Sequence, residues 1–297
     1  MIHYPITRKA IKELIKAENP TWLDEATRLT NRFRTLGKYE KSSLGWSAVK
    51  PVYMKLQGSS KCAYCERKLE GLKYGKIEQD IEHFRPKGNL GVWPSSLVFK
   101  SIPFTTVPIK TGGYYLLAYD PLNYAAACKP CNSILKKNYF PMAGTYNLKG
   151  DDPASLKSER PYLIYPLGTS KGRPLDVDPE EIITFHGLSP RPVKQKGHAR
   201  NRALVTIELF RLDNPSDRDS LFHHRALTII GLYPVLQKTA TGSSSQKSAA
   251  RDRVKKWLRP SQLHVNCARS FARLFKSNPK QARAFYRLAL AFVETSS

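Results

Sequence analysis

The chain has 297 residues, a hydrophobic fraction of 41% and a formal charge of +25, from 49 Lys and Arg against 24 Asp and Glu. That apolar content supplies a packed core and excludes wholesale disorder, and the cationic excess suits a nucleic-acid partner while saying nothing of fold. MIHYPITRKA lacks the apolar run of a secretion signal and the longest apolar stretches are too short to span a bilayer, so a cytoplasmic location with reduced cysteines is expected. In chain order, residues 1–60 read as helical. The spacing predicts a helix capped by Thr7, with Ala10, Ile11, Leu14 and Ile15 on one face. A second presents Leu23, Ala26, Leu29, Phe33 and Leu36 and stops at Gly37, and a third runs from Trp46 to Leu56. Residues 61–142 hold four of the five cysteines and replace helical periodicity with short apolar runs, Gly and Pro. Residues 143–194 are rich in Pro, Gly and Asp, with YLIYP and IITFHG as weak strands. Beyond Lys196, helices are predicted near 199–212, 217–238, 250–258, 261–277 and 280–294, with TATGSSSQKSAA (239–250) as a mobile linker. The expected division is an N-terminal helical region (1–60), a cysteine-bearing core (61–142) and a C-terminal region, loop-rich then helical and basic (143–297).

The cysteines form two pairs, Cys62-Ala63-Tyr64-Cys65 and Cys128-Lys129-Pro130-Cys131. A two-residue spacer lets both sulfurs of a pair reach one ion, and two such knuckles complete a tetrahedral thiolate site. Soft thiolates favour zinc over hard cations, and four of them leave no open position, so the ion would be structural. The alternatives are unrelated buried thiols or a redox pair. Cys267 falls in an amphipathic helix and reads as a core residue.

Between the pairs lies DIEHFRPK, residues 80–87. KIEQDIEHF reads as a strand running into it, and strict alternation sends Glu82 and His83 to opposite faces. They can serve one site only if the strand ends or bulges there, which Pro86 would favour. Beyond the second pair, Asn132 and Lys136 are four apart and share a helix face.

The order Cys-x-x-Cys, Asp80-x-Glu82-His83-x-x-Pro86, Asn123, Cys128-x-x-Cys131-Asn132 and Lys136 resembles the HNH endonuclease motif over about 80 residues. The resemblance implies an α+β fold with a small zinc-stabilised ββα-metal core flanked by helical regions. It implies that His83 is the general base, that Glu82 and Asn132 hold a catalytic Mg²⁺ or Mn²⁺, and that Asn123 orients the loop and the histidine. Asp80 matches an acidic position of some members. Arg85, Lys87 and Lys136 are expected on the phosphate backbone of DNA. The sequence departs from the pattern in carrying Glu rather than Asp at position 82, and in the long segment between His83 and Asn123.

Trp46-Ser-Ala-Val-Lys50, LQGSSKCAYCERKL, AACKPCNSILKKNYFP and TIELFRLDNPSDRDSLFHHR extend the likeness over residues 46–225. They resemble the HNH partner of an ATPase in Septu- and retron-type anti-phage systems. This implies a DNA endonuclease in antiviral defence, working with an ABC/SMC-like ATPase subunit. The alternatives are an RNA-cleaving HNH nuclease and a non-catalytic zinc DNA-binding subunit. The basic C-terminal helices read as packed helices with solvated cationic faces, or as a DNA-backbone clamp. His186, His198, His223 and His224 read as structural or exposed.

Overall fold

In a computed structural model of the chain, residues 1–58, 60–71, 73–74, 79–97, 99–108 and 112–295 are described. The fold is mixed α+β, about half helical, with three small sheets among the described residues. Residues 4–7 form strand β1 (Tyr4–Thr7), not the start of a helix. The Thr7 hydroxyl accepts from Ala10 N at 3.2 Å and opens α1 (Arg8–Glu18). Ile11 and Ile15 are buried there, whereas Leu14 lies outside the core at 43% exposure. Helix α2 (Trp22–Leu36) buries Trp22, Ala26, Leu29 and Phe33, and stops at Gly37 with φ +68°. That left-handed position is one glycine adopts without a Cβ clash. The third predicted helix is a tight turn at Trp46–Ala48 followed by α3 (Lys50–Leu56).

Strands β2 (Gln79–His83) and β3 (Tyr124–Cys128) pair antiparallel, from Gln79 opposite Cys128 to His83 opposite Tyr124 without interruption. Buried Gln57, just past α3, fastens this ribbon: its Nε2 donates to Ala126 O and its Oε1 accepts from Ala126 N, at 2.8 and 2.7 Å. After β3 the chain turns directly into α4 (Pro130–Lys136), a short helix of the wide type in which Lys137 N reaches back to Asn132 O at 2.8 Å. Residues 76–78 of the strand expected over KIEQDIEHF lie outside the described residues, as do residues 109–111 of the segment between His83 and Asn123.

Further on, β4 (Leu167–Ser170) pairs in parallel with β1 and antiparallel with β5 (Arg173–Pro174). YLIYP is not a strand, but its Tyr162, Leu163, Ile164 and Tyr165 are buried. After the single turn α5 (Pro179–Ile182), IITFHG supplies β6 (Ile183–His186), which forms a hairpin with β7 (Ser189–Pro192). Five helices follow among the described residues: α6 (Gly197–Leu209), α7 (Asp219–Thr241), α8 (Ser244–Trp257), α9 (Val265–Ser277) and α10 (Pro279–Thr295).

The mobile linker expected over 239–250 is absent, because α7 runs through Thr241 and α8 begins at Ser244. Ser243 and Gln246 form a capping box, each side chain bonded to the other's backbone N–H. Ser-x-x-Gln, despite its flexible-looking composition, is a helix-start signal. One continuous buried cluster joins residues from the N-terminal helices, the ribbon and the C-terminal helices. No helix among the described residues is long and apolar enough to cross a membrane.

Candidate functional site

The first knuckle is a tight turn in which Cys62 N donates to Arg67 O at 2.9 Å and Glu66 N to Cys62 O at 3.0 Å. Ala63 N, bonded to Ala126 O at 3.1 Å, lays this turn on β3. Cys128 ends β3 and Cys131 sits in the first turn of α4, so the second pair arrives on the same spot. All four sulfurs are buried and lie within 4.8 Å of one another, with Cys65 and Cys128 3.8 Å apart. Four thiolates at a zinc–sulfur distance of about 2.3 Å would be separated by about 3.8 Å in a tetrahedron. Donor chemistry and spacing therefore fit one zinc ion. The fifth cysteine, Cys267, is buried in α9, where its thiol donates to Gly187 O at 3.5 Å.

His83 closes β2 with its ring between Trp46 and Tyr124, at centroid distances of 4.8 and 5.0 Å. Its Nε2 lies 3.1 Å from Ala118 O. A carbonyl can only accept, so Nε2 carries the proton and Nδ1 keeps the lone pair. Burial, reinforced by the Lys87 ammonium, holds the imidazole pKa well below its ordinary value of 6.5. The ring is therefore neutral at physiological pH. Asn123 fixes the chain just after it: its Oδ1 accepts from Arg85 N at 2.8 Å, and its Nδ2 donates to Arg85 O and Leu117 O at 3.0 and 3.1 Å.

Glu82 stands on the other face of the ribbon. The strand runs in register through His83, without the bulge or early ending that would bring both side chains to one face. Glu82 is 1% exposed; one carboxylate oxygen is 2.6 Å from the Lys136 ammonium and the other accepts from the Tyr64 hydroxyl. Lys136 also donates to His83 O at 2.9 Å. One rung along, Asp80 accepts from Asn132 Nδ2 at 2.9 Å, Ser133 Oγ at 3.1 Å and the Lys129 ammonium at 2.7 Å. Ribbon and helix are thus laced by two rungs, Asp80 to Asn132 and Glu82 to Lys136. Glu82 and Asn132 offer a catalytic Mg²⁺ or Mn²⁺ no ready-made pair of ligands in this arrangement: one Glu82 oxygen accepts from Tyr64, the other faces the Lys136 ammonium without a hydrogen bond, and Asn132 Nδ2 donates to Asp80.

The three cations expected on phosphate separate. Lys136 is fully buried in the pair with Glu82. Arg85 is buried too, its Nε 2.9 Å from Glu159, with Phe84 and Phe140 against the guanidinium. Rather than facing phosphate, each neutralises a buried carboxylate, because an unpaired charge inside the fold is costly. Lys87 alone of the three stays partly exposed, 4.4 Å over the Trp46 ring and beside His83.

Sequence reasoning gave no role to three groups that the structure places at the site. Tyr64, inside the first knuckle, bonds Glu82, and Phe210 stacks on its ring at 4.2 Å. Glu159 receives Arg85, and the Tyr114 hydroxyl donates to it at 2.7 Å. Arg218 reaches Cys131 at 3.6 Å. Only Tyr64 carried a local signal, an aromatic hydroxyl between two metal ligands. Behind Phe84 and Arg85 a cleft of about 210 Å³ is lined by Lys157, Arg160, His198 and Arg202. Burial and then Arg202 push the His198 pKa down to about 4.

No family model matches the chain, and no solved structure matches it. Over 156 residues the chain is 31% identical to the Septu protein PtuB of Bacillus mycoides (strain KBAB4), an alignment covering 52% of this chain and 48% of that protein. The chain thus spans about half the length of the curated relative it matches.

Proposed function

We propose that the chain is a zinc-stabilised nuclease of the HNH type that hydrolyses DNA phosphodiester bonds in anti-phage defence. The observation that carries this reading is His83, a neutral imidazole anchored through Nε2–H to Ala118 O and leaving Nδ1 as the acceptor. Support comes from its place at the end of a ribbon followed by α4, from the Asn123 clamp, and from the zinc-competent knuckles beneath. The likeness to a Septu protein supports the defence role, and the resemblance over residues 46–225 implies an ATPase partner of the ABC/SMC kind.

In this mechanism Nδ1 of His83 takes a proton from water as its oxygen bonds to phosphorus and the P–O3′ bond breaks, and the departing O3′ takes a proton from solvent to leave a 3′-hydroxyl and a 5′-phosphate. The Lys87 ammonium offsets charge building on the phosphate oxygens. The formal charge of +25 draws the polyanion in without selecting a sequence. Glu82, held by Lys136 and Tyr64, sets the ribbon against α4 and so positions His83.

A plasmid-nicking assay with Mg²⁺, Mn²⁺ and EDTA arms, plus a parallel RNA substrate, tests the proposal. The parent is expected to nick DNA, and His83→Ala to bind DNA without cutting it. Cys62→Ser is expected to lose zinc and the folded core. Equal cutting by parent and His83→Ala would remove His83 from the chemistry. Degradation of RNA alone would overturn the substrate and leave the site standing.

A further inference from the structure

Arg218 is 8% exposed and lies at the entrance to α7. One guanidinium nitrogen is 3.6 Å from Cys131 Sγ and another donates to Phe210 O at 3.0 Å. Among the described residues no carboxylate lies within ion-pair distance of it, whereas the buried Arg85 and Arg202 are paired with Glu159 and Asp176 at 2.9 and 2.5 Å. A buried cation gains from a counter-charge. Four thiolates around one Zn²⁺ carry a net charge of −2, and that dianion is equally costly to bury alone. Lys129, inside the second knuckle, is turned away to Asp80.

The chain builds a dedicated turn for this guanidinium. Asn214 Oδ1 accepts from Asp217 N, and Asn214 O from Arg218 N, both at 3.0 Å. LDNPSDR is the segment that makes the turn, and the preceding Phe210 lies flat on Tyr64 of the first knuckle.

We propose that Arg218 is the counter-charge of the zinc tetrathiolate, donating an N–H···S bond that retains the metal and fastens the C-terminal helices to the knuckles. Zinc loss, with protonation of the thiols, strands the guanidinium, so α7 loosens when the metal leaves. The inference rests on the fit of the four sulfurs to zinc and stands whether or not the chain cuts DNA.

The test uses the full chain loaded with Co²⁺ or Zn²⁺, as parent, Arg218→Met, Arg218→Lys and Arg225→Met. Arg225 is the control, a buried arginine that donates to Leu188 O and Leu212 O at 3.0 and 2.8 Å and, among the described residues, to no sulfur and no carboxylate. In Arg218→Met the sulfur-to-cobalt charge-transfer band shifts, and zinc retention against a chromogenic chelator falls by about 10- to 100-fold, as for other groups that bond metal ligands. Arg218→Lys lies between, and Arg225→Met lowers the melting temperature while moving neither metal readout. An unchanged band and zinc-release rate in Arg218→Met, or an equal change in Arg225→Met, overturns the proposal. Where Arg218→Met does not fold, parent-like metal readouts in Arg218→Lys overturn it.

Discussion

Replacing Lys136 with Met separates the structure from the expectation that this cation reaches for phosphate. The ammonium is fully buried, 2.6 Å from a Glu82 oxygen and 2.9 Å from His83 O. Met keeps most of the aliphatic stem, so the packing loss is small. What is lost is the counter-charge of a carboxylate that is 1% exposed, together with the donor to a strand-end carbonyl. Breaking one side of a buried ion pair costs about 3–5 kcal/mol, and a carbonyl left without a donor costs about 1–3 kcal/mol. The Tyr64 hydroxyl stays on the other Glu82 oxygen and offsets part of this, so the expected loss is about 3–5 kcal/mol in all. Equilibrium urea unfolding of the zinc-loaded protein measures it. A Glu82→Gln, Lys136→Met double variant should recover about 1–3 kcal/mol of the summed single costs, since neither charge is then stranded. A loss below about 1 kcal/mol is the behaviour of a solvated pair. Together with a drop of about 1 in the slope of log affinity against log salt for DNA, it would refute the burial argument and return Lys136 to the phosphate.

Lys87→Ala should show that same drop of about 1 in the salt slope of DNA binding with little change in urea stability; an unchanged slope would remove Lys87 from the interface. Asn123→Ala leaves Arg85 N and Arg85 O without their partner, while Leu117 O keeps Asp120 N, and should cost about 2–4 kcal/mol. Bound zinc should persist while cleavage falls, and parent-like cleavage would show that the Asn123 clamp does not align His83. Ser243→Ala removes half of a capping box and should cost about 1 kcal/mol, read as a lowered melting temperature; no loss would mean that α8 is held by packing alone. Acid should also weaken the fold. His83 and His264 are kept neutral by burial, with the His264 pKa pushed down to about 3 by that burial and then by Arg225. Both folded values lie below the ordinary 6.5, so the unfolded chain takes up the protons first. Their contribution is full above pH 6.5 and is lost as pH falls from there toward the folded values, by up to about 1.4 kcal/mol per pH unit for each ring. Melting temperatures measured between pH 7.5 and 5 should fall accordingly, less steeply in His264→Gln, and a flat profile would contradict the burial of these rings.

Caps, spacings and alternation were legible because they are short-range devices. Thr7 and Gly37 bound helices through contacts within four residues. The convergence of the two Cys-x-x-Cys pairs was legible because a two-residue spacer lets both sulfurs of a pair reach one ion. The alternation of Glu82 and His83 also held, for it is a property of extended backbone. The condition attached to it failed: β2 continues in register through His83, since β3 supplies a partner for every one of its residues.

The sequence by itself determined which four cysteines come together and where most helices begin and end. Only the tertiary structure decided which charge meets which. Arg85 finds Glu159 74 positions away, Lys136 reaches His83 O 53 positions away, and Arg218 finds Cys131 87 positions away. A basic residue has the same local signature whether it will face phosphate or a buried carboxylate. The choice is made when the fold removes water from one partner and leaves it on the other, a matter of long-range packing that no local pattern encodes.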